Sequence, residues 1–198
     1  MKTIKVKLTF IEAVLGTCPS NADIYREYVG SKAPDAASIE DEVAALGVDT
    51  VAEKAMTVFP RDAQGRPFLY DYQIKGFFKD TCGGYRKVKG SYSEKIKAYK
   101  KEIDRLIFAS PREIVIEGVS EIRECQRPLR AATPQGERIS LAISEEIPAG
   151  ASCTFYITLL SDDHEAAARE WLDYGVYSGI GQWRNSGKGR FVWEELTD

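Results

Sequence analysis

Residues 178–191 read SGIGQWRNSGKGRF, placing four glycines, one tryptophan and the cations Arg184, Lys188 and Arg190 in one short stretch. Glycine lets backbone amides come close to an anion, and neighbouring guanidinium or ammonium groups supply charge, so the chemistry on offer is phosphate binding. The spacing is not that of a nucleoside-triphosphate loop. Five residues separate Gly181 from Gly187 where that loop has four, and Lys188 is followed by Gly189 instead of a hydroxyl residue. Its position also excludes the dinucleotide fingerprint, which lies between a strand and a helix start, whereas this stretch lies between an expected helix and an expected strand. A loop that only turns the chain accounts for the glycines equally well.

Other reactive side chains are scattered. His164 is the single histidine and sits among Asp162, Asp163 and Glu165, but consecutive helical residues point in different directions and make no metal cage by themselves. The expectation there is a solvated helix cap. Cys125 has Arg123, Arg127 and Arg130 nearby, which would lower its thiol pKa if exposed, yet no base is placed beside it. Asp80 lies near Lys75 and Lys79 and is expected to pair with one of them. Cys18, Cys82, Cys125 and Cys153 are widely spaced and lack a CxxC pair, so they read as buried free thiols. No convergent catalytic set, metal ligand set or cofactor motif emerges, and the expectation is a protein that is not an enzyme.

The net charge of −3 carries no global basic signature, so an anionic ligand must be held by local charge. Glu12 to Glu53 contains nine acids and two bases, whereas Tyr85 to Arg105 contains eight bases and three acids. That basic stretch includes Arg86, Lys87 and Lys89 and is interleaved with Tyr85, Tyr92 and Tyr99, the pairing of phosphate attraction with base stacking that single-stranded binders use. Its later part places Ile96, Tyr99 and Ile103 on one helical face, which suits a solvated helix as well. The N-terminus has alternating lysines in place of an apolar signal region, and no apolar run is long enough to cross a membrane. A cytoplasmic protein with no membrane partner is expected.

These residues must be positioned by an α+β framework. Ile4, Val6, Leu8 and Phe10 alternate with polar residues, as do Cys153, Phe155, Ile157 and Leu159, which predicts half-buried strands. A turn is expected at Asp62 to Gly65, a strand at Phe68 to Tyr70 and a helix from Ile74 to Cys82, followed by several β-rich segments and a hairpin turn within TPQGER. SDDHEAAAREWLDYG predicts a helix capped by Ser161, and RFVWEEL a closing strand. The order suggests one domain over 1–198 with a ferredoxin-like (RRM-like) core, hairpin insertions, a helical insertion at 20–56 and a basic helical insertion at 84–105.

YQIKGFFKD, Tyr72 to Asp80, together with the glycine-rich stretch, resembles the repeat-associated RNA-binding (RAMP) proteins of CRISPR systems. The likeness is to the backbone-forming Cas7-like branch, whose ferredoxin-like domains carry a motif such as IPGSSLKGxLR and a late glycine-rich loop. Ile74, Lys75 and Gly76 stand at the LKG part of that motif. Gly179, Gly181, Gly187 and Gly189 stand in the loop, with Lys188 near the family's frequent basic position. The resemblance implies that helix and loop lie close to bound guide RNA, with phosphate contacts from Lys75, Lys79, Arg184 and Lys188, and Trp183 or Phe77 stacking or packing nearby. Arg86, Lys87, Lys89 and Arg190 complete the candidate set.

The whole chain also resembles proteins of phages and prophages of Gram-positive bacteria. Three readings follow. The first is noncatalytic binding of single-stranded RNA, possible in a ribonucleoprotein or a homo-oligomer. The second is a phage interaction or counter-defence protein that binds a host-defence or phage protein through its acidic segment. The third is sequestration of a small nucleotide, which a closed pocket would favour and a continuous basic groove would not.

Overall fold

The structure, a computed structural model, describes residues 1–20, 56–133 and 136–197. Alternation sets the centre of its larger sheet. Strand β1 (Lys2–Phe10) turns Ile4, Val6, Leu8 and Phe10 inward, and its side chains oppose those of an equally alternating strand, Ser152–Leu159, with Ile4 opposite Ile157, Val6 opposite Phe155 and Leu8 opposite Cys153. A one-residue slip would move every apolar side chain to the solvent face, so this register is strongly specified.

The elements around that pair come in the following order. A smaller sheet begins with β2 (Val14–Leu15), β3 (Cys18–Pro19) and β4 (Thr57–Val58). Then come β5 (Phe68–Tyr70), helix α1 (Asp71–Tyr85), helix α2 (Tyr99–Leu106), β6 (Ile107–Ser110) and β7 (Glu113–Glu117). A long hairpin, β8 (Arg123–Thr133) and β9 (Gly136–Ile147), precedes β10, the Ser152–Leu159 strand, and α3 (Glu165–Asp173) and β11 (Phe191–Leu196) close the chain.

The larger sheet runs β11-β1-β10-β7-β5, with β6 also on β10, and each of its pairings is antiparallel. Taking β6 and β7 as one interrupted strand, the order β1, α1, β6/β7, β10, α3, β11 along the chain becomes β11, β1, β10, β6/β7 in space. That is the ferredoxin-like arrangement of two interlocked split βαβ units, as the element order suggests. Strand β5 and the second sheet, β2-β9-β4-β3 with β8 on β9, carry it beyond a bare four-stranded RRM core.

The predicted turn is present: the Asp62 amide bonds the Arg66 carbonyl at 3.0 Å, and Arg61 bridges Pro67. The β8–β9 hairpin is paired from Arg123 with Glu146 to Thr133 with Gly136; its expected turn residues, 134 and 135, lie outside the described residues. So does the core of the expected helical insertion, 21–55. The Ser20 amide bonds the Met56 carbonyl at 2.9 Å, so the chain leaves and re-enters the fold at neighbouring points.

Two expected elements differ in extent. Helix α1 begins at Asp71, three residues before Ile74, because the Gln73 side chain accepts a 2.8 Å hydrogen bond from the Tyr70 amide and so satisfies a donor at the helix entrance. The basic segment is shorter in helix than its periodicity suggests. Ser93–Lys95 is a 3-10 turn, Ile96 is extended, and α2 starts only at Tyr99. A half-buried polar network holds this turn: the Glu170 carboxylate accepts the Tyr92 and Ser93 amides (3.0 and 3.2 Å) and the Ser93 hydroxyl (2.6 Å), while the Trp171 indole N–H donates to the same hydroxyl at 2.8 Å. These bonds dock the start of the 3-10 turn on α3, and the chain leaves helical geometry at Ile96.

Trp171 is fully buried against Phe78 of α1, ring centroids 5.2 Å apart, so it joins α1, α3 and the basic segment. Trp171→Ala removes that packing and the network together, and a loss of about 3–5 kcal/mol in urea-unfolding stability is expected.

Candidate nucleic-acid interface

Helix α1 buries Ile74, Phe77, Phe78, Thr81 and Cys82. At 3.6 residues per turn, that leaves Gly76, Lys79, Asp80, Gly83 and Gly84 on the side away from the core. A Cβ added at Gly76 or Gly84 would meet nothing within 4 Å, so a ligand can reach the helix backbone there. This bare face is one wall of an open groove of about 640 Å³. Lys87, Tyr99 and Lys100 of the basic segment form a second wall, and Tyr174, Ser178, Arg184 and Asn185 bring in the stretch after α3.

Four cations and one carboxylate line the groove. Lys79 pairs with Asp104 at 2.5 Å, and Arg184 reaches Asp80 at 3.2 Å, which joins the helix to the glycine-rich loop. Asp80 is thus paired, though with Arg184 in place of either neighbouring lysine. Lys87 and Lys100 are exposed and carry no ion pair among the described residues, so their charge is available to an anion. Arg86 lies over the Tyr99 ring, 5.2 Å from its centroid, while Lys89 stands exposed in the turn beyond α1.

The glycine-rich loop divides into a packed base and an open tip. Gly179 and Gly189 lie so close that a Cβ on either would collide with backbone atoms of the other arm, and Gly189 has φ +70°. The Ile180 amide bonds the Gly189 carbonyl (3.0 Å), and the Gly189 amide bonds the Ala13 carbonyl (2.8 Å). Those amides are consumed by the fold. Gly181 packs on the Leu15 carbonyl of β2, and Gly187 makes the left-handed end of a 3-10 turn, Arg184–Ser186.

Other expected site residues face elsewhere. The Lys75 ammonium donates to the Asp104 carbonyl at 3.2 Å and lies 4.4 Å from the Phe108 ring centroid. Lys188 pairs with Glu146 of β9 at 2.5 Å, and Arg190 donates to Glu12 at 2.9 Å. None of the three lines the groove. Phe77 is not a stacking surface: it is 2% exposed and packs on Phe191. Gly83 and Tyr174 line the groove without a motif of their own, whereas Tyr99 and Lys100 lie in the stretch that composition marks as basic and Ser178 and Asn185 in the glycine-rich stretch.

Two reactive groups depart from expectation. His164 is buried, not a solvated cap, because the 3-10 turn Asp162–His164, with the Ser161 hydroxyl accepting the Asp163 amide, brings its ring beneath α2, where Nε2 lies 3.2 Å from a Glu102 carboxylate oxygen. Cys125 has its thiol pushed up, not down: burial and Glu146 outweigh Lys188 and Arg127. Arg123 is drawn to Glu121. Cys82 and Cys153 are buried free thiols, with Cys153 pushed up to about 12 by burial, while Cys18 and Cys125 are half-buried. Among the described residues, no group of three His, Cys, Asp or Glu side chains is placed to hold a metal, and no helix is long and apolar enough to cross a membrane.

Two glycine substitutions separate the roles of helix and loop. Gly76→Ala, in an exposed helix interior with free space, is expected to raise stability by about 1 kcal/mol. Gly189→Ala is expected to lower it by more than that, because the Ile180 carbonyl and a positive φ both oppose a side chain. Thermal unfolding of the two variants beside the parent checks both signs. Cys125 is expected to react with iodoacetamide at neutral pH more slowly than an unhindered thiol, measured by mass spectrometry.

No protein-family model and no curated protein matches the chain. Among solved structures, it is similar to a chain in the cryo-EM structure of the Type III-B Cmr-beta bound to cognate target RNA, with a TM-score of 0.53 and 10% identity over 98% of this chain and 58% of that one. The chain therefore spans somewhat over half of that neighbour's length. Cmr6 from Pyrococcus furiosus matches 96% of this chain and 97% of its own with a TM-score of 0.47 and 11% identity. At such identity the likeness is one of fold alone.

Proposed function

We propose that the protein binds single-stranded RNA without cleaving it, holding the sugar-phosphate chain in the groove between α1, the basic segment and the glycine-rich loop. The observation that carries this reading is the combination of a glycine-bared helix face with Lys87 and Lys100, two exposed cations that the fold leaves without counter-ions. A polyanion can approach the α1 backbone closely and gain those charges at once, whereas a global field from a chain of net charge −3 would not attract it. Tyr99 and Tyr174 in the walls offer ring surface to bases.

An open groove suits a polymer better than an enclosed mononucleotide. The fold neighbour in a structure described as bound to cognate target RNA supports the same reading. The role in this reading is that of a non-cleaving binding subunit in a cytoplasmic, CRISPR-like ribonucleoprotein; His164 and Asp80, which could otherwise transfer protons, are each engaged within the fold. Lys79 and Arg184 exchange their present carboxylate partners for phosphates on binding. Lys75, Lys188 and Arg190 support the groove by holding its surrounding elements.

Binding of a mixed-sequence single-stranded RNA across a salt series tests this. The parent is expected to bind with strong salt dependence, and Lys87→Ala/Lys100→Ala to bind more weakly with the log-log salt slope reduced by about 1.4, two phosphate contacts' worth. Lys75→Ala and Lys188→Ala are expected to leave that slope unchanged. Failure of the parent to retain RNA even at low salt would remove the reading.

A further inference from the structure

The tip of the glycine-rich loop holds an arrangement that phosphate attraction does not explain. Trp183 is 41% exposed although its backbone has φ +55° and ψ 35°, the left-handed region that a bulky side chain rarely occupies. Such a conformation persists only where surroundings over-determine it, and it clusters at ligand-binding positions. Two of its neighbours do the determining. Arg127 of β8 is 7% exposed, its Nη2 donates to the Gln182 side-chain carbonyl at 2.6 Å, and its guanidinium carbon lies 5.2 Å from the Trp183 ring centroid.

The other terminal nitrogen of Arg127, Nη1, is buried without a hydrogen-bond partner, and no carboxylate pairs with the side chain among the described residues. A buried guanidinium without a counter-ion is costly unless something offsets it. Here the offset is the negative face of the indole, to which a desolvated cation is strongly attracted. One ring face is therefore committed to Arg127. The indole also borders a hollow of about 380 Å³ lined by Gly181, Gln182, Trp183, Arg184 and Asn185. Arg184 and Asn185 line the phosphate groove as well, so groove and hollow adjoin.

We propose that Trp183 is a nucleobase-stacking platform, held in place by Arg127 and Gln182, which takes the base of a nucleotide whose phosphate lies in the groove beside Arg184. The ligand class is a single nucleotide unit, whether free or within a strand. The inference deepens the RNA-binding reading and rests on it for the polymer. Arg127 and Gln182 are positioning residues. They fix the indole from behind and do not touch the base.

The test uses an oligouridylate of about twelve nucleotides, a span typical of single-stranded sites, an equally long strand of abasic ribose phosphates, and uridine monophosphate. Trp183→Ala is expected to weaken the base-bearing strand roughly tenfold while leaving the abasic strand unchanged, and Trp183→Phe to restore most of the loss. Arg127→Met is expected to lower affinity for the base-bearing strand alone, a selectivity that general loosening of the fold would not produce. Lys87→Ala/Lys100→Ala is expected to weaken both strands.

Equal binding of the base-bearing strand by the parent and Trp183→Ala overturns the platform while the groove reading stands. If neither strand binds but uridine monophosphate quenches tryptophan emission in the parent and not in Trp183→Ala, the platform stands for a free nucleotide and the polymer reading falls. If no strand binds and no quenching occurs, both are overturned.

Discussion

The constraint from which the rest of the molecule follows is the burial of one side of α1. Phe77 meets Phe191 and Phe78 meets Trp171, both at 5.2 Å between centroids, so the helix is wedged between the closing strand and α3. Rotating it about its axis would expose two phenyl rings, each worth about 1.5–3 kcal/mol of burial. With that side committed, Gly76, Gly83 and Gly84 can face only outward, and a helix that would otherwise present bulky side chains presents its backbone. The groove is a consequence of core packing.

Charge is distributed on the same logic. Four cations at or beside the site are already neutralised by the fold: Lys188 by Glu146, Lys79 by Asp104, Arg184 by Asp80 and Arg190 by Glu12. The more exposed of these pairs, such as Arg184 with Asp80, contribute little to stability, while Lys188 and Glu146 meet half-buried. Lys87 and Lys100 stand apart from this set. Their segment is ordered by Ser93, Glu170 and Trp171 and by the burial of Ile96 and Ile103, so two unneutralised ammonium groups are kept on a fixed wall.

The glycine-rich loop answers to two demands at once. Its base, where Gly179 crosses Gly189, needs glycine for close approach of two backbone arms against the start of the second sheet. Its tip carries Trp183 and Arg184, held by Arg127 from one side and Asp80 from the other. A rigid base lets a short tip be aimed, and it explains why four glycines in a row of fourteen residues do not form an anion-binding nest.

The sequence by itself determined the strands β1 and β10, the turn at Asp62 to Gly65 and the presence of α1 and α3, because period-two and helical patterns are local and the burial they demand is the same in any arrangement. The order of those elements also carried the ferredoxin-like arrangement. Only tertiary structure decided that Lys87 and Lys100, and not Lys75 or Lys188, face the groove, that His164 lies under α2, and that burial and Glu146 raise the Cys125 thiol. Each of those outcomes depends on a partner from a distant element. Ion pairing and desolvation act through space over a few ångströms, and the separation of two residues along the chain says nothing about which of them will meet.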